Sequence, residues 1–224
     1  MISLPHTLGN SSLLGAARTI AEQVQQNQGL HLVIAEHMQS ADQLREGLLF
    51  FGGDSLPVTL FPDRETLPYD RFSPPEELTS ERLAILHDLP LKKQGILVVS
   101  INTLMNRLPP ASYLDAHRFS LKIGQRFDVM DMRTRLEAAG YRASKHVMIH
   151  GEYALRGSLF DVFPMGAKKP FRVDLFDDEI ESIRVFDPDT QRSLTQLDTF
   201  ELLPAHEFPL TPIAAQTFEK AWTL

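Results

Sequence analysis

Two arginines and two phenylalanines share the polar face of a predicted β-hairpin in the second half of the chain. Strand alternation places Arg172 and Phe176 opposite the apolar residues of the first strand. The second strand adds Arg184 and Phe186 to that face, and residues 177–179 supply the turn. Arginine and aromatic side chains exposed together are typical of protein-binding hot spots. The pattern therefore favours binding to another protein.

The same residues also fit a purely structural interpretation. Phe176 and Phe186 would then cover a small secondary core, and the arginines would pair with neighbouring acidic side chains. The acidic cluster at 177–179 has two interpretations as well, because carboxylates can hold a divalent cation and aspartates are also common in turns. Its strand-like flanks favour a solvated turn, so we expect no metal site there.

Phosphate chemistry lacks its usual motif in this sequence. A nucleotide-binding α/β unit needs a glycine loop that ends in Gly-Lys-Ser/Thr, since backbone N–H groups and the lysine neutralise the phosphates. No lysine precedes Lys92, and Gly9 and Gly15 have the wrong spacing for such a loop. We therefore expect no ATPase site and no bound cofactor in these residues.

Hydrolytic chemistry is not indicated either. The chain has no cysteine, so it has neither a thiolate nucleophile nor a disulfide. It contains no Gly-x-Ser-x-Gly elbow, which a serine hydrolase of that class would need. We expect no catalytic residue and no metal ligand, and we expect His87, His146 and His150 to lie at the surface or in packing contacts.

The composition limits the partners. The chain has 22 Lys+Arg and 29 Asp+Glu, a formal net charge of -7, which is not the balance of a basic nucleic-acid-binding module. Its 43% of hydrophobic residues supplies a core. No apolar run approaches the roughly 20 residues that span a membrane, and residues 1–6 do not resemble a secretory signal. We expect a soluble, cytoplasmic protein with no membrane partner.

The first hundred residues alternate between helical and strand-like segments. Helical spacing covers 12–27 and 41–51, and strand-like segments lie at 30–34 and 58–61. This alternation is typical of an α/β fold with a parallel sheet. The continuous apolar segment 95–100 predicts a strand buried on both faces.

A proline-containing loop interrupts this alternation. Prolines and aspartates break both periodicities between residues 62 and 75. Helical spacing resumes over 79–89, where Ser80 can cap the helix. We expect a long ordered loop followed by a helix that begins at about Ser80.

Beyond His117 the pattern changes to α+β. A helix is predicted over 128–139, capped by Asp128 and stopped by Gly140, and strands separated by turns follow through Phe186. The tail ends in a helical pattern at Trp222 without a closing element, so we expect the chain to be cut there. The predicted domains are, in order, 1–117, 118–198 and 199–224.

Several motifs resemble the module shared by UvrB and the bacterial transcription-repair coupling factor. They are GEYALRG at 151–157, DVFP at 161–164 and FRVDLFDDEIESIR at 171–184. Three other motifs resemble the coupling factor rather than UvrB: ETLPYDRFSP at 65–74, SERL at 80–83 and LLPAHEFP at 202–209. The resemblance covers nearly the whole chain.

The resemblance implies a large ATP-dependent DNA translocase that displaces stalled RNA polymerase and recruits UvrA for nucleotide excision repair. It implies a degenerate helicase-like parallel-sheet domain over 1–117, in agreement with the missing lysine. A smaller α+β domain with an antiparallel hairpin, over 118–198, would bind UvrA, and 199–224 would return to the first domain. ATP, Mg²⁺, RNA polymerase and double-stranded DNA would be bound by domains outside this chain.

Three residues match the positions through which this family contacts UvrA: Arg156, Arg172 and Phe176. Asp161 and Gly157 match the family pattern as well. The resemblance implies that Phe176 enters a pocket of UvrA while the two arginines meet acidic or carbonyl acceptors. It also implies that another domain of the intact protein covers this surface until the motor engages.

Two other functions stay open at this point. One is a nucleotide-dependent helicase half with an unconventional phosphate site. The other is direct binding of DNA through the hairpin and Lys168–Lys169, which the net charge of -7 disfavours.

Overall fold

The computed structural model describes residues 12–66, 71–209, 214–216 and 219–220. Three predicted features lie outside the described residues: Gly9 with the start of the chain, the stretch 67–70 of the proline-containing loop, and the end of the tail at Trp222.

Helices alternate with strands in the first half of the chain, and strands predominate in the second half. The helices are α1 Leu13–Gln26, α2 Met38–Gly52, α3 Glu76–Asp88, α4 Ile101–Met105, α5 Ala111–His117 and α6 Val129–Ala138. The strands are β1 Leu30–Ala35, β2 Val58–Phe61, β3 Gly95–Ser100, β4 Phe119–Lys122, β5 Arg142–Ala143, β6 Glu152–Arg156, β7 Leu159–Val162, β8 Phe171–Phe176, β9 Glu179–Phe186, β10 Ser193–Leu197 and β11 Thr199–Leu202. The combination of a parallel sheet with antiparallel pairings confirms the predicted fold class.

The chain divides into two compact units, and the first contains the parallel sheet. This unit comprises the described residues 12–65 and 88–107. Its strand order is β1-β3-β2, with both pairings parallel. Ala17 of α1 and Leu48 of α2 are buried with Ile96 and Val98 of β3 in one core. The prediction of a buried central strand over 95–100 is confirmed.

The second unit contains a six-stranded sheet and a separate two-stranded pair. The order in the larger sheet is β10-β9-β8-β7-β6-β5, antiparallel except for β5 and β6. β11 pairs antiparallel with β4. One face of the larger sheet packs against α6 through buried residues such as Leu136, Phe160 and Val173. This main core leaves the opposite face of the sheet available for other contacts.

The predicted start of α3 at Ser80 is wrong. The helix begins at Glu76, directly after two prolines, and carries Glu76 and Glu77 in its first turn, where negative charge is favourable. Ser80 lies inside the helix, is buried, and accepts a hydrogen bond from the Gly166 backbone N–H at 2.8 Å. In the sequence Ser80 looked like a helix cap, but its hydroxyl instead accepts from a backbone N–H that is distant in the chain.

The two compact units divide the chain differently from the predicted ranges. Residues 66, 71–87 and 108–117 fall in the predicted first domain, yet they belong to the second unit. The described start of the predicted return segment also packs in the second unit, where Phe200 and Leu202 are buried. The predicted domain boundaries stay a prediction. No helix among the described residues is long and apolar enough to cross a membrane.

Gly140 follows the end of α6, as predicted, and its surroundings leave no room for a side chain. Its φ is +89°, and a Cβ added there would lie 2.4 Å from Cδ2 of His206. We therefore expect Gly140→Ala to lower the free energy of unfolding by about 1–3 kcal/mol, measured by urea titration. Gly157→Ala is the control, because Gly157 has a φ of +57° and open space around its Cα. Equal stability of the two variants would contradict the steric argument.

Candidate protein-binding site

The face of the six-stranded sheet opposite the main core carries a group of charged side chains. We call it the outer face and define it by these residues: Arg156, Asp161, Arg172, Asp174, Phe176 and Arg184. Strand register places Asp161, Arg172 and Arg184 side by side on β7, β8 and β9. The predicted alternation of β8 is confirmed, because Val173 and Leu175 are buried in the main core.

Phe176 lies at the end of β8, next to the hairpin turn. Its side chain is 69% exposed, and it belongs to none of the hydrophobic clusters among the described residues. The turn follows directly, with Asp177 in the left-handed region at a φ of +53° and Phe176 paired with Glu179. The structure therefore leaves a large apolar ring in solvent at the tip of the hairpin.

Phe186 behaves differently from Phe176, although the two were predicted on the same face. Phe186 is fully buried in a small cluster with Val147, Ala154 and Phe163. The guanidinium of Arg172 lies 4.6 Å from the centre of the Phe186 ring. The structural interpretation of a secondary core therefore holds for Phe186, whereas it does not hold for Phe176.

Arg172 is held by a buried carboxylate. Its Nε donates to Oδ1 of Asp161 at 2.7 Å, and its Nη2 donates to Oδ2 at 2.8 Å. Its Nη1 donates to the backbone oxygen of Gln191 at 3.1 Å. The side chain is 15% exposed, and the hydrogen bonds to Asp161 raise the pKa of the guanidinium above its usual value. Arg172 is therefore a fixed cation at the surface of the sheet.

Arg156 shares the same carboxylate. Its Nη2 donates to Oδ2 of Asp161 at 2.5 Å, and its side chain is 41% exposed. The structure thus brings two of the predicted site residues together, Arg156 and Arg172. Phe176 stands four residues along β8 from Arg172, a distance of about 13 Å in an extended strand.

Two acidic residues of the outer face were not singled out as site residues from the sequence. Asp161 matches a family motif, and Asp174 follows from the alternation of β8, but their pairing depends on a strand register that the sequence does not reveal. Asp174 accepts hydrogen bonds from Oγ of Ser182 and from Nη2 of Arg184. Nε of Arg184 is buried and has no hydrogen-bond partner among the described residues.

The outer face combines an apolar ring with cations whose counter-charges lie beneath them. Asp161 is fully buried, whereas Arg156 and Arg184 are partly exposed. A partner would therefore meet mainly N–H donors and the ring of Phe176. Such a face suits carboxylate or carbonyl acceptors that surround an apolar pocket.

The acidic turn and the side chain of His150 have structural partners. Asp178 pairs with Arg126 at 2.7 Å. His146 and His150 stand four residues apart, but no helix forms there, and His150 instead hydrogen-bonds the backbone oxygen of Ala167 at 2.8 Å. Within the described ranges, no group of three or more histidine or acidic side chains is placed to hold a metal ion.

Residues 119–208 match a known protein family. A family model described as the UvrB interaction domain matches residues 119–208, which begin with β4 and continue past β11. Residues 119–208 are similar to this family, and we refer to them as the UvrB interaction domain. The whole outer face lies inside it.

The similarity extends beyond the UvrB interaction domain to nearly the whole chain. The transcription-repair-coupling factor of Escherichia coli (strain K12) is 45% identical over 226 residues, covering 98% of this chain and 20% of that protein. That of Haemophilus influenzae is 50% identical over 205 residues, covering 91% and 18%. That of Staphylococcus aureus (strain Mu50) is 32% identical over 192 residues, covering 86% and 16%.

These comparisons confirm the family resemblance noted in the sequence motifs. The chain spans about a fifth of the length of the curated relatives it matches. The region that this chain matches is therefore one part of a much larger protein in each of those relatives.

Proposed function

We propose that this chain binds UvrA through the outer face of its UvrB interaction domain and thereby recruits UvrA to sites of transcription-coupled nucleotide excision repair. The observation that carries the proposal is the exposed ring of Phe176 on the same face of the sheet as two anchored arginines. A solvent-exposed phenylalanine costs free energy unless it is buried on binding, where it contributes about 1.5–3 kcal/mol.

The proposed mechanism is recognition by a largely preformed surface. Phe176 enters an apolar pocket of UvrA, while Arg156 and Arg172 donate to separate carboxylate or carbonyl oxygens of UvrA. No covalent bond is made or broken, so the proposal requires no catalytic residue and no cofactor within this chain.

The similarity to transcription-repair-coupling factors supports a wider proposal for the whole protein. We infer that it is an ATP-dependent DNA translocase that displaces stalled RNA polymerase in the cytoplasm. ATP, Mg²⁺, RNA polymerase and double-stranded DNA would then be bound by domains outside this chain. A titration of this chain with Mg-ATP separates the alternatives, because tight binding would favour a nucleotide-dependent helicase half instead.

The direct test is a calorimetric titration of UvrA with the folded chain. We expect saturable binding, and we expect Arg156→Ala to weaken it about tenfold, since an arginine in a hot spot costs more than about 1 kcal/mol when truncated. Arg135→Ala is the matched control, because Arg135 is 44% exposed and lies on α6, on the opposite side of the sheet. Absence of binding between the folded chain and active UvrA would refute the proposed function.

A further inference from the structure

The described part of the chain contains two buried carboxylates, Asp161 and Glu207, and only Asp161 lies on the outer face. A buried charge is costly unless it is paired and hydrogen-bonded. Both oxygens of Asp161 meet this requirement, because Oδ1 accepts from Arg172 and Oδ2 accepts from Arg172 and Arg156. Asp161 is thus shared by the two arginines of the proposed binding site.

Asp161 determines the orientation of Arg172. The carboxylate engages the Nε and Nη2 edge of the guanidinium, and Gln191 accepts from Nη1 on the other side. The ring of Phe186 supports the plane of the group at 4.6 Å. With three nitrogens engaged and one face stacked, the side chain has a single supported position.

Asp161 also forms an ion pair with Arg156 on the neighbouring strand. The cross-strand neighbour of Arg156 is Leu159, not Asp161, so the ion pair is a diagonal contact. One Nη2 hydrogen bond fixes the guanidinium, and its other N–H groups have no partner among the described residues. The carboxylate therefore holds two like charges together that would otherwise repel each other.

We propose that Asp161 is a positioning residue for the partner. It holds the guanidinium groups of Arg156 and Arg172 in the orientation that the partner meets, so that these side chains need not be ordered on binding. Ordering long side chains is a recognised cost of association, and a preorganised surface avoids it. This inference rests on the proposed function, because its partner is UvrA.

The test is Asp161→Asn combined with Arg156→Ala in a double-mutant cycle on UvrA affinity. Asparagine keeps the size of the side chain but removes the charge that holds both arginines. We expect Asp161→Asn to weaken binding about tenfold, although Arg156, Arg172 and Phe176 are all retained. Arg156→Ala should cost about tenfold in the wild-type background and less than about twofold beside Asp161→Asn.

The control separates positioning from stability. Glu207→Gln removes the other buried carboxylate, away from the outer face, and should lower stability without changing the affinity of the folded chain. Normal affinity of folded Asp161→Asn would overturn the inference, as would equal losses for Asp161→Asn and Glu207→Gln. Failure of the wild-type chain to bind would instead refute the proposed function itself.

Two further measurements keep the inference testable if Asp161→Asn does not fold. The double variant Asp161→Leu, Arg172→Leu leaves no unpaired buried charge from this pair. Adding Arg156→Ala to it should then cost less than about twofold, and a loss of about tenfold would overturn the inference. Independently of UvrA, NMR relaxation should show a rigid Nε–H in Arg172 of the wild-type chain, and a mobile one would contradict the positioning role.

Discussion

The Phe176→Ala variant is expected to bind UvrA about 2–4 kcal/mol more weakly than the wild-type chain, a loss of about 30- to 1000-fold. The ring is 69% exposed and packs in no described cluster, so its removal should leave the free energy of unfolding nearly unchanged. Calorimetric titration measures the affinity, and thermal melting followed by circular dichroism measures the stability of the same samples.

Phe50→Ala is the matched control for this result. Phe50 is 81% exposed and lies on α2 in the first unit, outside the UvrB interaction domain. We expect its replacement to leave UvrA binding unchanged. A parallel loss of folding and binding in Phe176→Ala would show that the ring belongs to a core, and the proposed site would then have no apolar anchor.

The largest effect on stability is expected from Glu207→Gln. Glu207 accepts from Nε of Arg82 at 2.5 Å and from Nη2 at 3.3 Å, and both side chains are almost completely buried. Glu207→Gln takes the negative charge out of this buried, hydrogen-bonded pair, and breaking a buried ion pair typically costs about 3–5 kcal/mol. Urea unfolding followed by circular dichroism should show this loss for the second unit.

The pair itself can be examined by removing both charges. The double variant Arg82→Met, Glu207→Met should be less destabilised than the sum of the two single variants, because both charges of this ion pair are then removed together. Glu76→Gln breaks the exposed pair with Arg142 and should change stability little. If Glu76→Gln and Glu207→Gln lowered the free energy of unfolding by similar amounts, burial would not explain the large effect expected for Glu207.

Local patterns allowed much of the fold to be predicted. The apolar segment 95–100 became the central strand β3, and Asp128 caps α6 by accepting from the Met130 and Asp131 backbone N–H groups. Both features depend on neighbours within a few residues. The start of α3 was predicted wrongly, because the role of Ser80 depends on Gly166, which is 86 residues away in the chain.

In the candidate site, too, features set by nearby residues could be predicted, whereas features set by distant residues could not. Alternation of β8 predicted that Phe176 lies on the face opposite the main core, but it left open whether the ring is exposed or covers a small core. The burial of Phe186 depends on Val147, which a separate loop brings over the sheet. The pairing of Asp161 with both Arg156 and Arg172 depends on the register of β7 against β6 and β8. That Arg156 and Arg172 contact UvrA stays a prediction.

The pairing of β4 with β11 determines how the UvrB interaction domain responds to mechanical tension. Phe119 lies beside Leu202, so the start of β4 and the end of β11 lie at the same end of an antiparallel pair. A pull applied at Phe119 and Leu202 would break the ladder one residue pair at a time, towards Lys122 and Thr199. The hairpin of β8 and β9 lies between β4 and β11 in the chain. The hairpin that carries Phe176 would therefore bear such a load only after the β4–β11 pair had opened.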